Sequence, residues 1–264
     1  MDVGALLDWY ETAHRPLPWR ETRDPYRLLV SEVMLQQTQA ARVVPYYEAF
    51  LARFPEAAAL AAAPVREVLA AWSGLGYNRR ALALRRAAAE VARCGWPEDL
   101  TELPGVGAYT AAAVSSFAWD AQRAAVDTNV RRVICRHDGA EHRPRALAGR
   151  AAQLLPAGRA ATFNQAMMEL GATVCRPRRP ACDGCPVRAG CASAGREPAP
   201  SPRPAARRER FEDTDRWARG RIVAALVAGE PPPSLAPERR ARAEAGLLRD
   251  GLAERGADGM LRLP

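Results

Sequence analysis

An all-α fold is what this 264-residue chain predicts, and three observations predict it. Apolar residues recur at three- and four-residue spacing from Val3 to about Ala194, period-two alternation is nearly absent, and Pro and Gly break the pattern at short intervals. The helical patterns run Pro25 to Ala40, Val43 to Arg53, Pro64 to Trp72, Arg79 to Cys94, Tyr109 to Phe117 and Asn129 to Arg136, joined by short loops. A hydrophobic share of 48% is enough for one substantial core or two modest ones.

Composition shifts at Gly195, where a run dense in Pro and Arg favours an extended, solvated linker. The expected organisation is a helical domain over 1–194, a linker over 195–213 and a small module over 214–264. In that module Arg216 to Ala228 and Pro237 to Asp250 read as helices, followed by a strand, a turn and a strand through Leu252, Gly256 and Met260. Two helices and a hairpin suggest a winged-helix-like unit.

Thirty-eight basic against 30 acidic side chains leave a net charge of +8, which suits a phosphate backbone but is equally the mark of an Arg-rich soluble surface. No window approaches the roughly 18–20 apolar residues of a membrane span, and the first residues lack the basic start and apolar run of a secretory signal. A cytoplasmic location is expected, without membrane partners. Disulfides are disfavoured there, so closely spaced cysteines ask for a metal.

Cys175, Cys182, Cys185 and Cys191 stand at C-x6-C-x2-C-x5-C, four soft thiolate donors confined to one loop. Zinc and an iron–sulfur cluster both accept such donors; zinc ribbons normally offer two C-x-x-C pairs, and here there is one. Cys94 and Cys135 fall in helical patterns and read as small core residues. Gly105, Val106 and Gly107 form a turn between two helical patterns. Its glycines permit positive φ, and the following helix offers free N–H groups to a phosphate; a simple helical corner would look the same. Asp127 precedes a helical run and reads as an N-cap. Glu32 sits among Val30, Val33, Met34 and Leu35, either facing solvent beside a core stripe or buried with a raised pKa, in which case it is a proton donor.

These motifs together resemble the MutY-type adenine glycosylases of the helix-hairpin-helix, endonuclease III superfamily. The likeness is carried by the cysteine loop with the preceding Asn164-Gln-Ala-Met-Met-Glu-Leu-Gly-Ala, the Leu103-Pro-Gly-Val-Gly-Ala-Tyr hairpin, Ser31-Glu-Val-Met-Leu-Gln-Gln-Thr-Gln and Ala125-Val-Asp-Thr-Asn-Val, and covers roughly Leu6 to Ala192. It implies a helix-hairpin-helix glycosylase fold and a 4Fe–4S cluster on the four cysteines. Glu32 is implied as general acid and Asp127 as the carboxylate stabilising the sugar cation, with Tyr109 and Asn129 at the nucleophile site. Arg20 and Gln165 are implied to contact an extruded adenine, with Trp19 and Leu35 lining its pocket. Gln37 and Tyr77 are implied to wedge into the stack, and Thr38 to approach the opposite base. Bifunctional superfamily members carry lysine where this chain has Tyr109, so hydrolysis that leaves an abasic site is implied.

Two departures matter. Thr128 replaces a glycine usual in the family, and 51 residues follow the linker where relatives carry a larger β-rich reader of 8-oxoguanine. The reading is a monomeric enzyme, nucleoid-associated through duplex DNA that holds a mispaired or oxidised base, and it removes adenine opposite 8-oxoguanine or guanine. A thymine, uracil or hypoxanthine glycosylase of the same fold is the enzymatic rival, and a non-catalytic damage-binding protein the rival of another class.

Overall fold

A computed structural model describes residues 1–196 and 210–264. In chain order its helices are α1 (Val3–Ala13), α2 (Pro25–Leu35), α3 (Ala40–Arg53), α4 (Ala57–Ala62), α5 (Val65–Ala71), α6 (Arg79–Cys94), α7 (Ala108–Trp119), α8 (Thr128–Asp138), α9 (Pro144–Leu154), α10 (Ala160–Glu169), α11 (Asp215–Ala228) and α12 (Pro237–Arg249). The last described elements are the short antiparallel strands β1 (Glu254–Arg255) and β2 (Leu261–Arg262), with Glu254 opposite Arg262. The all-α expectation holds.

One boundary differs instructively. The pattern from Pro25 to Ala40 reads as one helix, yet α2 ends at Leu35 and a new helix starts at Ala40. Gln37 lies between them at φ 60°, the left-handed region, which no helix accommodates. Apolar spacing alone does not reveal such a break, because the side chains on either side still alternate at helical intervals.

The described residues form two compact units. The first comprises 1–32, 99–101 and 106–196, and the second 33–98, 102–105 and 210–264. In the first, Leu6, Leu7 and Tyr10 of α1 pack with Val130 and Ile134 of α8 and Phe163 and Met167 of α10, all within a few per cent of complete burial. At about 25 cal/mol per Å² of apolar surface removed from water, such side chains are the main stabiliser of the unit. Asn164 of α10 is buried with them, donating to Ser116 Oγ (2.8 Å) and the Arg123 carbonyl (2.9 Å) and accepting from Ala125 N (3.0 Å). It thereby fixes the segment that leads into Asp127.

In the second unit Phe50 meets Trp72 edge-on at 5.9 Å, and Leu60, Val68 and Leu84 are buried. The helices α11 and α12 bury Ile222, Val223 and Leu247 in the same unit, and α11 packs on α5. Arg66 of α5 donates to the carbonyls of Val227 (2.7 Å) and Leu226 (3.2 Å), the otherwise unpaired acceptors at the end of α11. The tail thus has the two helices and the hairpin expected of it. It is grouped with residues 33–98, where the sequence suggested a module of its own. Most of the 195–213 stretch, with Arg207 and Arg208, lies outside the described residues.

Candidate active site

Glu32, Tyr109, Asp127 and Asn129 come together in the first unit. Glu32 is 4% exposed on the last full turn of α2. Burial pushes its carboxyl up to about 7; a hydrogen bond from the Tyr109 phenol pulls the other way, and the charge of Asp127 adds to the rise. The solvent-facing alternative is therefore absent. Tyr109, in the first turn of α7, has its hydroxyl 3.8 Å from Met168 Sδ. Its phenol is held well above the usual range by burial first and then by the charges of Glu32 and Asp127, so it stays a neutral donor.

Asp127 is the N-cap of α8, as its sequence context suggests, and the cap leaves it available for more. Its Oδ1 accepts from Val130 N at 2.7 Å and its Oδ2 from Asn129 Nδ2 at 2.8 Å. The two bonds fix both oxygens of the carboxylate beside the buried acid. Asn129 is fixed in turn: its Oδ1 accepts from Arg132 Nη2 at 2.8 Å, and the same guanidinium donates to the Gly171 carbonyl (2.6 Å) and, through Nε, to the Cys175 carbonyl (2.7 Å). Gly171 lies in a π-helical turn at Leu170–Val174, where an added Cβ would stand 2.6 Å from Asn129 Cβ.

A second cluster in the same unit centres on Glu169, which is fully buried. Burial pushes its carboxyl up, but hydrogen bonds from Arg15 and Arg20 overcome this and hold it down at about 2. Arg15 binds it through Nε and Nη2 (both 2.7 Å) and Arg20 through Nη2 (2.6 Å). The Arg20 guanidinium also lies 5.5 Å from the centre of the Tyr10 ring, and the Tyr10 hydroxyl donates to Gln165 Oε1 at 2.6 Å. Arg20 and Gln165 are thus members of one network. Gln165, Met168 and Glu169 share one face of α10, so that face touches both clusters. Trp19 is buried on the short turn Pro18–Arg20 before α2.

Leu35, Gln37, Thr38 and Tyr77 belong to the second unit. Leu35 ends α2 half-buried; Gln37 (φ 60°) and Tyr77 (φ 50°) are both left-handed, a backbone that costs energy outside glycine and concentrates at functional sites. Arg80 stitches the two turns together, donating to the carbonyls of Val33 (2.7 Å) and Gln36 (2.7 Å) on one side and of Leu75 (3.3 Å) and Gly76 (3.1 Å) on the other. In the hairpin only Gly105 uses its freedom: its φ is +78°, and a Cβ there would stand 2.6 Å from Ala83 Cβ. Gly107 has φ −91°, so positive φ is not its reason, contrary to the sequence reading; it is the N-cap of α7 with open space around it. Val106 between them is buried.

The four cysteines are half-buried with free thiols, and among the described residues no group of three or more His, Cys, Asp or Glu is arranged to hold a metal ion. They do sense one another, since burial first and then Cys175, Cys191 and Cys182 push the Cys185 thiol up. Arg136 of α8 anchors their loop by donating to Cys175 Sγ (3.5 Å) and to the carbonyls of Arg176 (2.7 Å) and Pro177 (2.9 Å). Cys135 is buried as expected, but Cys94 is exposed at the end of α6 and is no core residue. Sequence reasoning missed Tyr10, Arg15, Arg80, Arg132 and Glu169. Only Glu169 left a trace, as a carboxylate following Ala166, Met167 and Met168 and four positions after Gln165.

Residues 30–156 match the family described as HhH-GPD superfamily base excision DNA repair protein. An adenine DNA glycosylase of Mycolicibacterium smegmatis is 45% identical over 98% of this chain and 94% of its own length, so the similarity extends through the C-terminal tail. The human adenine DNA glycosylase is 43% identical over 71% of this chain and 38% of its own. Among solved structures, a thermostable thymine-DNA glycosylase aligns with a TM-score of 0.67 at 33% identity, covering 72% of this chain and 93% of that one. The carboxylate pair at the start of α8 and the end of α2, the glycine hairpin and these relatives agree, and the chain belongs to the adenine DNA glycosylase family within the HhH-GPD superfamily of base excision DNA repair proteins.

Proposed function

We propose that this chain hydrolyses the N-glycosidic bond of adenine mispaired with 8-oxoguanine or guanine in duplex DNA and leaves an abasic site. The observation that carries the reading is the buried Glu32 carboxyl at about 7, beside a fixed Asp127 carboxylate. One group holds a proton near neutrality and the other holds a charge, the division of labour this reaction needs. Glu32 gives its proton to N7 of the extruded adenine, and the C1′–N9 bond breaks with its electron pair passing to the base. The sugar cation that develops is stabilised by Asp127. Water then bonds to C1′, and its released proton returns to Glu32. Tyr109 and Asn129 hold the two carboxylates in place, and Arg20 and Gln165 present polar edges to the base.

The absence of strand cleavage has support beyond Tyr109: all 38 basic residues are arginine and the sequence contains no lysine, so no side-chain amine exists to form an imine with the sugar. The open N-terminus of α7 behind Gly107 suits a backbone phosphate, and the net charge suits duplex DNA. Cys175, Cys182, Cys185 and Cys191 would hold a 4Fe–4S cluster, whose contribution when bound is to cross-link the loop that Arg136 anchors. Four soft donors on a loop fixed to α8 fit that group.

A second reading, excision of thymine or uracil from mispairs, is favoured by the likeness to the thymine-DNA glycosylase. Single-turnover assays on duplexes holding A:8-oxoG, A:G, G:T, G:U and hypoxanthine pairs separate the two. Release of adenine as free base, with intact backbone, supports the proposal; release of thymine or uracil alone overturns it.

A further inference from the structure

Tyr77 carries a contact that the wedge reading does not explain. Arg216, in the first turn of α11, donates from Nη1 to the Tyr77 hydroxyl at 2.7 Å, and its guanidinium lies 4.0 Å from the ring centre. Arg80 lies over the same ring at 5.5 Å, and Phe211 stands 5.4 Å from the Arg216 guanidinium. Tyr77 is 38% exposed, a large apolar ring set on a left-handed residue in a turn. Two of its freedoms are therefore removed by different arginines. Arg80 fixes the backbone beneath it, and Arg216 fixes the ring and its hydroxyl.

The position of Arg216 is not one that its own helix favours. A cation in the first turn faces the positive end of the helix dipole, and the neighbouring Asp215 already binds Arg242 (3.1 Å). Among the described residues no carboxylate pairs with Arg216. A planar guanidinium, unlike an ammonium, stacks on a ring and donates to its hydroxyl at once. Gln37, Thr38, Tyr77 and Arg216 line one cleft of about 1250 Å³ in this unit, so the tail residue stands on the same wall as the residues read as entering the DNA.

We infer that Arg216 is a positioning residue for base extrusion: it holds the Tyr77 ring ready to enter the base stack, which makes the C-terminal helix α11 part of the wedge. This rests on the reading of Tyr77 as the wedge. A ring free to change rotamer must be ordered as it enters the stack, and that cost falls on the extrusion step; a ring already held pays it in advance.

The test is stopped-flow fluorescence of 2-aminopurine at the target position, with enzyme in excess, alongside duplex affinity at several salt concentrations and thermal melting of each variant. Arg216→Ala should slow extrusion about tenfold, the weight of a lost cation–π contact and its hydrogen bond, and weaken affinity much less. Arg216→Lys should recover affinity but not extrusion. Tyr77→Phe should slow extrusion modestly, and adding Arg216→Ala to it should cost less than the two single effects combined. Wild-type extrusion by Arg216→Ala, with only a salt-dependent loss of affinity, would mean that Arg216 is a phosphate contact and would overturn the inference. Tyr77→Ala separates the two levels: if it extrudes like wild type, the wedge reading itself has failed, whatever Arg216 does.

Discussion

Glu32 illustrates how burial moves an ordinary carboxyl into the pH range that the proposed reaction needs of its acid. Its folded-state pKa of about 7 lies above the ordinary 4.5, so the native state binds a proton that the unfolded chain releases. The stabilising contribution is complete below the ordinary carboxylate value and is lost as pH rises through about 7, reaching on the order of 3 kcal/mol by pH 8. Glu32→Gln is therefore expected to melt higher than wild type at pH 8 and equally at pH 4, measured by calorimetry. The same substitution should cut single-turnover adenine release by orders of magnitude while duplex binding persists. Wild-type excision should decline as pH rises above about 7, because the proton it transfers is gone. Glu169 behaves oppositely, being held at about 2 against its burial, so its contribution fades as pH falls from the ordinary carboxylate range towards 2. The apolar neighbours of Glu32 are adjacent in sequence and made its burial one of two legible alternatives, while its proposed role came from the family resemblance. That of Glu169 was not, because Arg15 and Arg20, the groups that give it meaning, lie some 150 positions away.

At the scale of elements, α8 and α10 carry most of the residues to which the proposed chemistry is assigned. The helix α8 begins on Asp127, carries Asn129 and Arg132 in its first turns, and ends with Arg136 gripping the cysteine loop. Arg132→Ala would free the Asn129 amide and the Cys175 carbonyl together. We expect purified protein to be yellow-brown with about four irons and four sulfides per chain, and this variant to lose iron faster on mild heating, followed by absorbance. Colourless, active protein with stoichiometric zinc would remove the cluster from the account. In the hairpin, Gly105→Ala forces a side chain into left-handed backbone and against Ala83, at a cost of about 1–3 kcal/mol, whereas Gly107→Ala meets open space. Unequal melting temperatures of the two variants would register this. Sequence patterns located α6, α7 and α8 well. They could not distinguish the two glycines, because which of them turns left-handed is decided by the packing of α6. The false extension of α2 through Gln37 has the same origin, since the carbonyls freed by that break are collected by Arg80, more than forty residues downstream.

For the whole molecule, the informative finding is that residues 210–264 complete the second unit and do not stand apart from it. Removing them would uncover the face of α5 on which α11 packs and strip the Arg66 guanidinium of its carbonyl partners. Truncation at the linker is thus expected to broaden or lower the melting transition as well as to weaken DNA binding, and comparison of A:8-oxoG with A:G should be made on point variants such as Arg216→Ala. The tail's two helices and hairpin were plain in the sequence; its packing was not, because nothing in α5 marks it as the partner of a helix 150 residues later. Both units are stitched from separated stretches of chain. A polypeptide leaves the ribosome in order from its first residue, so residues 33–98 emerge early, and the face of α5 on which α11 packs stays uncovered until α11 follows. During synthesis the nascent chain therefore carries that face open until most of its length has been made, and a chain that stops short keeps it exposed.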